Sequence, residues 1–268
     1  MTSLVSGYEF YKLCKWNYCA RYPINWIPEK VQENDFVFLN IDNFFMFLNT
    51  LKPGMPKFNI ITHNSDRSFT EHYAKELKGK VNKVYSQNCL LNSDEVFHQI
   101  PIGFVDVKNK HLHAKENDNT NFHDFLLQIE NKNLDKRILC YINFKLENNP
   151  SARMPCLNHF NGKTWAYIKS NVETHKFYEQ ISMSKYIPCP AGSGIDTHRV
   201  YESILLNSIP IVVSSPLNEL YRKLPVLIVD SWNNITQEFL ESSYDYQYKY
   251  LTNWKKNNPD WLKADYWI

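Results

Sequence analysis

Short β-branched or aromatic runs alternate with longer segments of helical periodicity along almost the whole chain, and this alternation constrains the fold most. In the first half, "DFVFLNI" (35–41), "KFNIITH" (57–63), "NKVYSQN" (82–88) and "FHQIPIG" (97–103) read as strands. The segments 42–51 and 69–79 read as the helices between them, the second stopping at Gly79. In the second half, strands are expected over 136–144, 185–190, 209–213 and 225–230, with helices over 151–160, 172–182, 197–207 and 235–248. Neighbouring parallel strands need a crossover of about a dozen residues or more, usually helical. The pattern therefore predicts βαβ units and parallel sheets with both faces covered.

A polar stretch, rich in Asn and Lys, runs from Asp106 to Asp135 and separates the two alternating halves. It reads as a linker (116–135) with a short helix over 122–130. The expected organisation is two Rossmann-like domains, 1–115 and 136–249, with the aromatic segment 250–268 packing back on the first. A formal net charge of +2, dispersed along the chain, gives no nucleic-acid footprint. No apolar run is long enough to span a bilayer, and the first residues lack a basic segment followed by an apolar one. A cytoplasmic location is expected. The six cysteines include no CxxC pair and read as buried, reduced thiols. His111 and His113 sit in a polar stretch where metal-like spacing arises by chance, so no metal site is expected.

The chain has only seven glycines, yet Gly192 and Gly194 fall together in "PAGSGIDTHRVYESILLNSIPIVV" (190–213), between a strand and a helix. Ligands of open α/β sheets bind outside the carboxyl ends of the strands. Glycines admit a close backbone approach, and the free N–H groups of a helix start favour an anion. Ser193 and Asp196 also fit a capping box, which would explain the helix start without any ligand. A Walker loop is excluded because no GK[ST] follows. The dinucleotide fingerprint is approached at Gly192, Gly194 and Thr197, but no acidic residue ends the next strand to take an adenosine ribose. A nicotinamide-dependent oxidoreductase and a non-catalytic nucleotide- or sugar-binding module remain alternatives. Glu202 lies one turn from His198 and Arg199. It is either an exposed partner of Arg199, worth about 0.2–0.5 kcal/mol, or an acceptor for ribose hydroxyls.

The run from "PAGSGIDTHRVYESILLNSIPIVV" through "SSPLNELYRKLPVLIVDSWNNITQEF" resembles the donor half of exostosin-like glycosyltransferases. It looks most like the short enzymes of large DNA viruses such as chloroviruses. "ITHNSD" (61–66), "SQN" (86–88) and "IPIGF" (100–104) are similar to that family's acceptor half. The resemblance implies a GT-B fold, two Rossmann-like domains with a central cleft. It also implies transfer of a sugar, xylose or galactose by preference, from a UDP-sugar to a glycan hydroxyl with inversion, giving a β-linkage. No metal or other cofactor is implied, and a DxD motif is absent; its nearest approach is Glu116-Asn117-Asp118. No membrane anchor like that of Golgi members is expected, and the viral likeness suggests the cytoplasm of an infected cell.

Departing UDP is an oxyanion, so the site must stabilise negative charge. The amides of Ser193, Gly194 and Asp196, the helix start at Thr197 and His198, and Arg199 are candidates for this task. The resemblance adds Arg153, whose guanidinium fork suits a phosphate. Glu202 would take the ribose, and Asn143 or Lys145 could touch the diphosphate. Inversion needs a base for the acceptor hydroxyl. Asp66 is the first candidate, because a carboxylate in a water-poor cleft can accept the proton, and His63 is the second. Otherwise Asp66 caps the next helix.

Overall fold

The computed structural model describes residues 3–106 and 122–268, which divide into two compact units. Leu4–Gly103 form the N-terminal unit together with Gly194–Asp196 and Asp260–Ile268. Phe104–Ser193 and Thr197–Pro259 form the C-terminal unit. His111, His113, Glu116 and Asp118 lie outside the described residues.

The N-terminal unit holds five parallel strands: β1 (Trp16–Tyr18), β2 (Phe36–Leu39), β3 (Phe58–Thr62), β4 (Val81–Ser86) and β5 (Phe97–Gln99). Their spatial order follows the chain, β1-β2-β3-β4-β5. Right-handed crossovers between strands ordered this way put every connection on one face. Accordingly Phe44 and Phe47 of α2 (Phe44–Leu48) and Ala74 and Leu77 of α3 (Glu71–Leu77) share one core with Val37, Leu39, Ile60 and Val84. Side chains alternate across a strand, so Phe38 and Ile61 point to the opposite face, and both are fully buried. That face is met by α1 (Gly7–Lys12), whose Tyr11 ring lies edge-on to Phe38 at 5.8 Å. The C-terminal residues join the same unit. The Val5 N–H donates to the Leu262 carbonyl, and Trp261 is buried.

The C-terminal unit holds β6 (Ile138–Ile142), β7 (Ala166–Ile168), β8 (Ser184–Pro188), β9 (Ile209–Val213) and β10 (Leu227–Val229), again all parallel. Their spatial order is β7-β6-β8-β9-β10. Numbered within the unit this is 2-1-3-4-5, the flavodoxin-like order, whose direction reverses between its first and third strands. The switch point lies between β6 and β8. Around the sheet run α4 (Phe122–Asn131), α5 (Pro150–Phe160), α6 (Thr174–Ser182), α7 (His198–Leu205), α8 (Asn218–Arg222) and α9 (Gln237–Asn257). Cys140, Tyr186, Ile209 and Ile211 from the strands pack with Cys156 and Phe160 of α5 and Leu240 and Leu251 of α9. The five buried cysteines are unbridged, and burial pushes the Cys189 thiol up to about 12, so it stays protonated.

Every strand and helix expected from periodicity is present within a few residues of its place. Four elements were not anticipated: β1, β7, α1 and α8, of three to six residues each. Elements this short contain too little periodicity to stand out. The short helix expected over 122–130 is present as Phe122–Asn131, with Phe122, His123, Phe125, Leu126 and Ile129 buried. Helix α9 runs to Asn257, beyond the expected 248, because Leu251 and Trp254 continue its buried stripe.

Two lysines tie helix ends together in the C-terminal unit. Lys136 Nζ donates to the Ser182 carbonyl at 2.7 Å, the Leu206 carbonyl at 3.1 Å and Ser208 Oγ at 2.8 Å. Lys255 Nζ contacts Glu130 Oε1 at 2.7 Å, the Leu205 carbonyl at 2.9 Å and Asn207 Oδ1 at 2.6 Å. Burial, and secondarily the Lys255 ammonium, lower Lys136 from 10.5 to about 7. Below that pH both folded and unfolded chains bind the proton. Between it and the ordinary lysine value only the unfolded chain does, so stability rises with pH through this window. Chemical unfolding of wild type and Lys136→Met from pH 6.5 to 9.5 should show this rise in the wild type and a flatter profile in the variant.

Candidate functional site

The loops after β6 and β8 flank the switch point of the C-terminal unit, the position at which doubly wound sheets bind ligands. Asn149 starts α5: its Oδ1 accepts from the Ala152 N–H at 3.1 Å, and Pro150 follows as the first helical residue. The same side chain donates through Nδ2 to the Gly192 carbonyl at 2.8 Å, joining the two loops. Arg153, one turn into α5, reinforces the join. Its Nε donates to the Ala191 carbonyl at 3.1 Å, Nη1 donates to the Lys145 carbonyl, and the guanidinium lies 5.6 Å from the centre of the Phe144 ring. Burial depresses the Arg153 guanidinium, and the nearby Arg199 charge adds to the effect. Two arginines that repel each other at a switch point form a site suited to an anion.

Arg199 and Glu202 stand on successive turns of α7. Arg199 Nη1 donates to the Asn143 carbonyl at 2.8 Å, and its guanidinium stacks over the Phe177 ring of α6 at 4.3 Å. Glu202 is 4% exposed, so this is no exposed helix pair worth a few tenths of a kcal/mol. Its Oε1 accepts from the Tyr178 hydroxyl at 2.9 Å. Its Oε2 faces Arg199 Nε at 3.5 Å, an ion pair without a hydrogen bond, and that Nε has no hydrogen-bond acceptor. A buried carboxylate can accept about four hydrogen bonds, and this one has a single strong donor. Buried polar groups are nearly always satisfied, so the Arg199 Nε left without an acceptor calls for an explanation such as a bound ligand.

The glycine loop differs from its sequence reading. The helix begins after Thr197 with no side-chain cap, so Ser193 and Asp196 form no capping box. The buried Asp196 carboxylate instead accepts from the Ile102 N–H at 2.8 Å. The Asp196 N–H donates to Asn88 Oδ1 at 2.9 Å, so this amide is already engaged and is not free to hold an anion. Gly194 is required by packing: a Cβ there would lie 2.7 Å from Asn88 Nδ2. Ser193 is exposed, and Thr197 and His198 are half-buried.

The other expected residues belong to the N-terminal unit, after β3. His63 is buried, with Nε2 3.2 Å from the Pro101 carbonyl and Nδ1 beside Asn64. Asp66 is exposed, not enclosed in a water-poor pocket, and α3 starts after Thr70, so Asp66 does not cap it. Asn143, Lys145, Arg153, Arg199 and Glu202 are thus drawn together around the ends of β6 and β8, whereas Gly194, Asp196, His63 and Asp66 group with the N-terminal unit. Sequence reasoning missed Asn149, Phe177 and Tyr178. Only the N-cap position of Asn149, before a proline, could have been read in advance.

Two five-stranded parallel sheets, each flanked by helices, define an α/β protein of two units, one of them with the flavodoxin-like strand order. No protein-family model matches the chain, and no curated protein does. Among solved structures, the crystal structure of TarM aligns with a TM-score of 0.43 at 12% identity, covering 86% of this chain and 52% of TarM. The chain therefore spans about half the length of that structure. Among the described residues no helix is long and apolar enough to cross a membrane, and no cluster of His, Cys, Asp and Glu could hold a metal ion.

Proposed function

We propose that this protein is a glycosyltransferase that moves a sugar from a UDP-sugar to a glycan hydroxyl with inversion, forming a β-linkage. The reading is carried by the buried Arg199 Nε, which has no hydrogen-bond acceptor, beside the loosely paired Glu202 carboxylate at the switch point. In this reading Glu202 Oε2 accepts from the ribose, and the diphosphate lies between Arg199 and Arg153, near Asn143 and Lys145. These arginines are set in place before the bond breaks, so they stabilise the leaving charge without reorganising, and they do so without a metal. Ser193, Thr197 and His198 border the phosphates. Asp66 takes the acceptor proton as a freely hydrated carboxylate, with His63 as the second candidate. Xylose or galactose is the preferred sugar, since the site offers no cluster for a sugar carboxylate.

Thermal-shift screening against UDP- and GDP-sugars, with and without manganese, tests donor and metal need together, because a ligand raises stability by mass action. A UDP-sugar should give the largest shift, unchanged by manganese. Glu202→Ala should weaken that binding by about 1–3 kcal/mol, the cost of lost hydrogen bonds to a buried charge. Binding without turnover would leave a nucleotide-binding module, and a preference for a nicotinamide would overturn the reading.

A further inference from the structure

Tyr178 is 4% exposed and aims its hydroxyl at Glu202. Its ring is fixed by Phe122 and Phe125 of α4, at 5.4 and 5.9 Å, and by the adjacent Phe177 at 4.8 Å. The same α6 turn thus carries Phe177 beneath Arg199 and Tyr178 against Glu202. Burial raises the phenol well above its ordinary value, and the Glu202 carboxylate raises it further. Tyr178 therefore stays protonated, and a donor, above the ordinary tyrosine range.

The geometry of the pair defines what this donor does. A glutamate one turn from an arginine can turn both oxygens onto the guanidinium fork, which satisfies the two charges mutually. Here it does not: Oε1 is held by Tyr178, and Oε2 is left 3.5 Å from Nε. We propose that Tyr178 is a positioning residue that keeps Glu202 from closing onto Arg199 and so reserves Oε2 for a ribose hydroxyl. On this account Tyr178, which never touches the nucleotide, sets the preference of the site for ribonucleotides over nucleotides lacking those hydroxyls. The inference rests on the nucleotide-binding reading of the same site.

Tyr178→Phe retains the ring and removes only the donor. Calorimetric titration of UDP and of 2′,3′-dideoxy-UDP into wild type and variant separates the outcomes. Wild type should prefer UDP by roughly tenfold or more, the equivalent of one hydrogen bond to a charged group. The variant should lose about tenfold in UDP affinity and none for the dideoxy analogue, so that discrimination collapses. A structural role alone would weaken both nucleotides equally, and that result, or unchanged discrimination, overturns the proposal. Wild-type protein that binds both nucleotides alike removes the ribose from Glu202. Failure to bind UDP at all removes the nucleotide reading on which the proposal rests. Should Tyr178→Phe fold poorly, Tyr178→His, which keeps a donor, should restore part of the discrimination.

Discussion

Arg199→Met should lower stability by about 3 kcal/mol, because it strands the Glu202 carboxylate in a buried position with one hydroxyl donor. Breaking one side of a buried pair costs more than removing both, since the survivor keeps its desolvation penalty without its partner. The double variant Arg199→Met/Glu202→Gln should therefore recover most of the loss, although Arg199 also gives up its bond to the Asn143 carbonyl and its stacking on Phe177. For a chain of this size, about 3 kcal/mol corresponds to roughly 6–12 °C in Tm. Both variants should lose UDP binding by more than tenfold. Separating stability from binding in this way shows whether the pair serves the fold, the ligand or both. Equal stability of Arg199→Met and wild type would mean that water compensates the carboxylate.

The second large effect concerns Gly103. It has φ of +67°, and a Cβ there would press into the Val5 carbonyl oxygen and lie 2.9 Å from its carbon. The obstacle is backbone, which cannot rotate away, and the chain at Val5 is tied to Leu262 by a hydrogen bond. Gly103→Ala should cost about 1–2 kcal/mol for the left-handed conformation. Overpacking against fixed atoms adds about 1–3 kcal/mol. Gly54 supplies the control: its φ is +78°, but a Cβ there would have nothing within 4 Å. Gly54→Ala should show the conformational cost alone. Urea unfolding of the two variants isolates the steric part, and equal losses would show that the segment around Val5 yields.

The parallel α/β organisation could be read because it repeats: buried runs such as "NIIT" and "IPIVV" recur at intervals that only crossovers fill. The site was legible where chemistry and position coincide in a single stretch. Arg199 and Glu202 are one helical turn apart, and their place after a strand follows from the alternation. Their burial was not legible, since it depends on Tyr178 and Phe177 approaching from a different helix. Asp196 shows the opposite failure. Beside two glycines it looks like part of an anion loop, but its carboxylate and amide are taken by Ile102 and Asn88, which lie about ninety residues or more earlier. Local pattern identifies which groups could act, whereas long-range hydrogen bonds decide which are already occupied.

The sequence-ordered sheet of the N-terminal unit has a consequence for synthesis on the ribosome. Its crossovers leave one face to be closed from elsewhere, and Asp260–Ile268 join the unit from more than a hundred and fifty residues further along the chain. The first sheet to emerge must wait, with Trp261 and the Leu262 carbonyl still missing, while more than a hundred and fifty residues are translated. A nascent chain stalled before residue 260 should accordingly be protease-sensitive in its earliest-made portion and become resistant once residues 260–268 have cleared the exit tunnel.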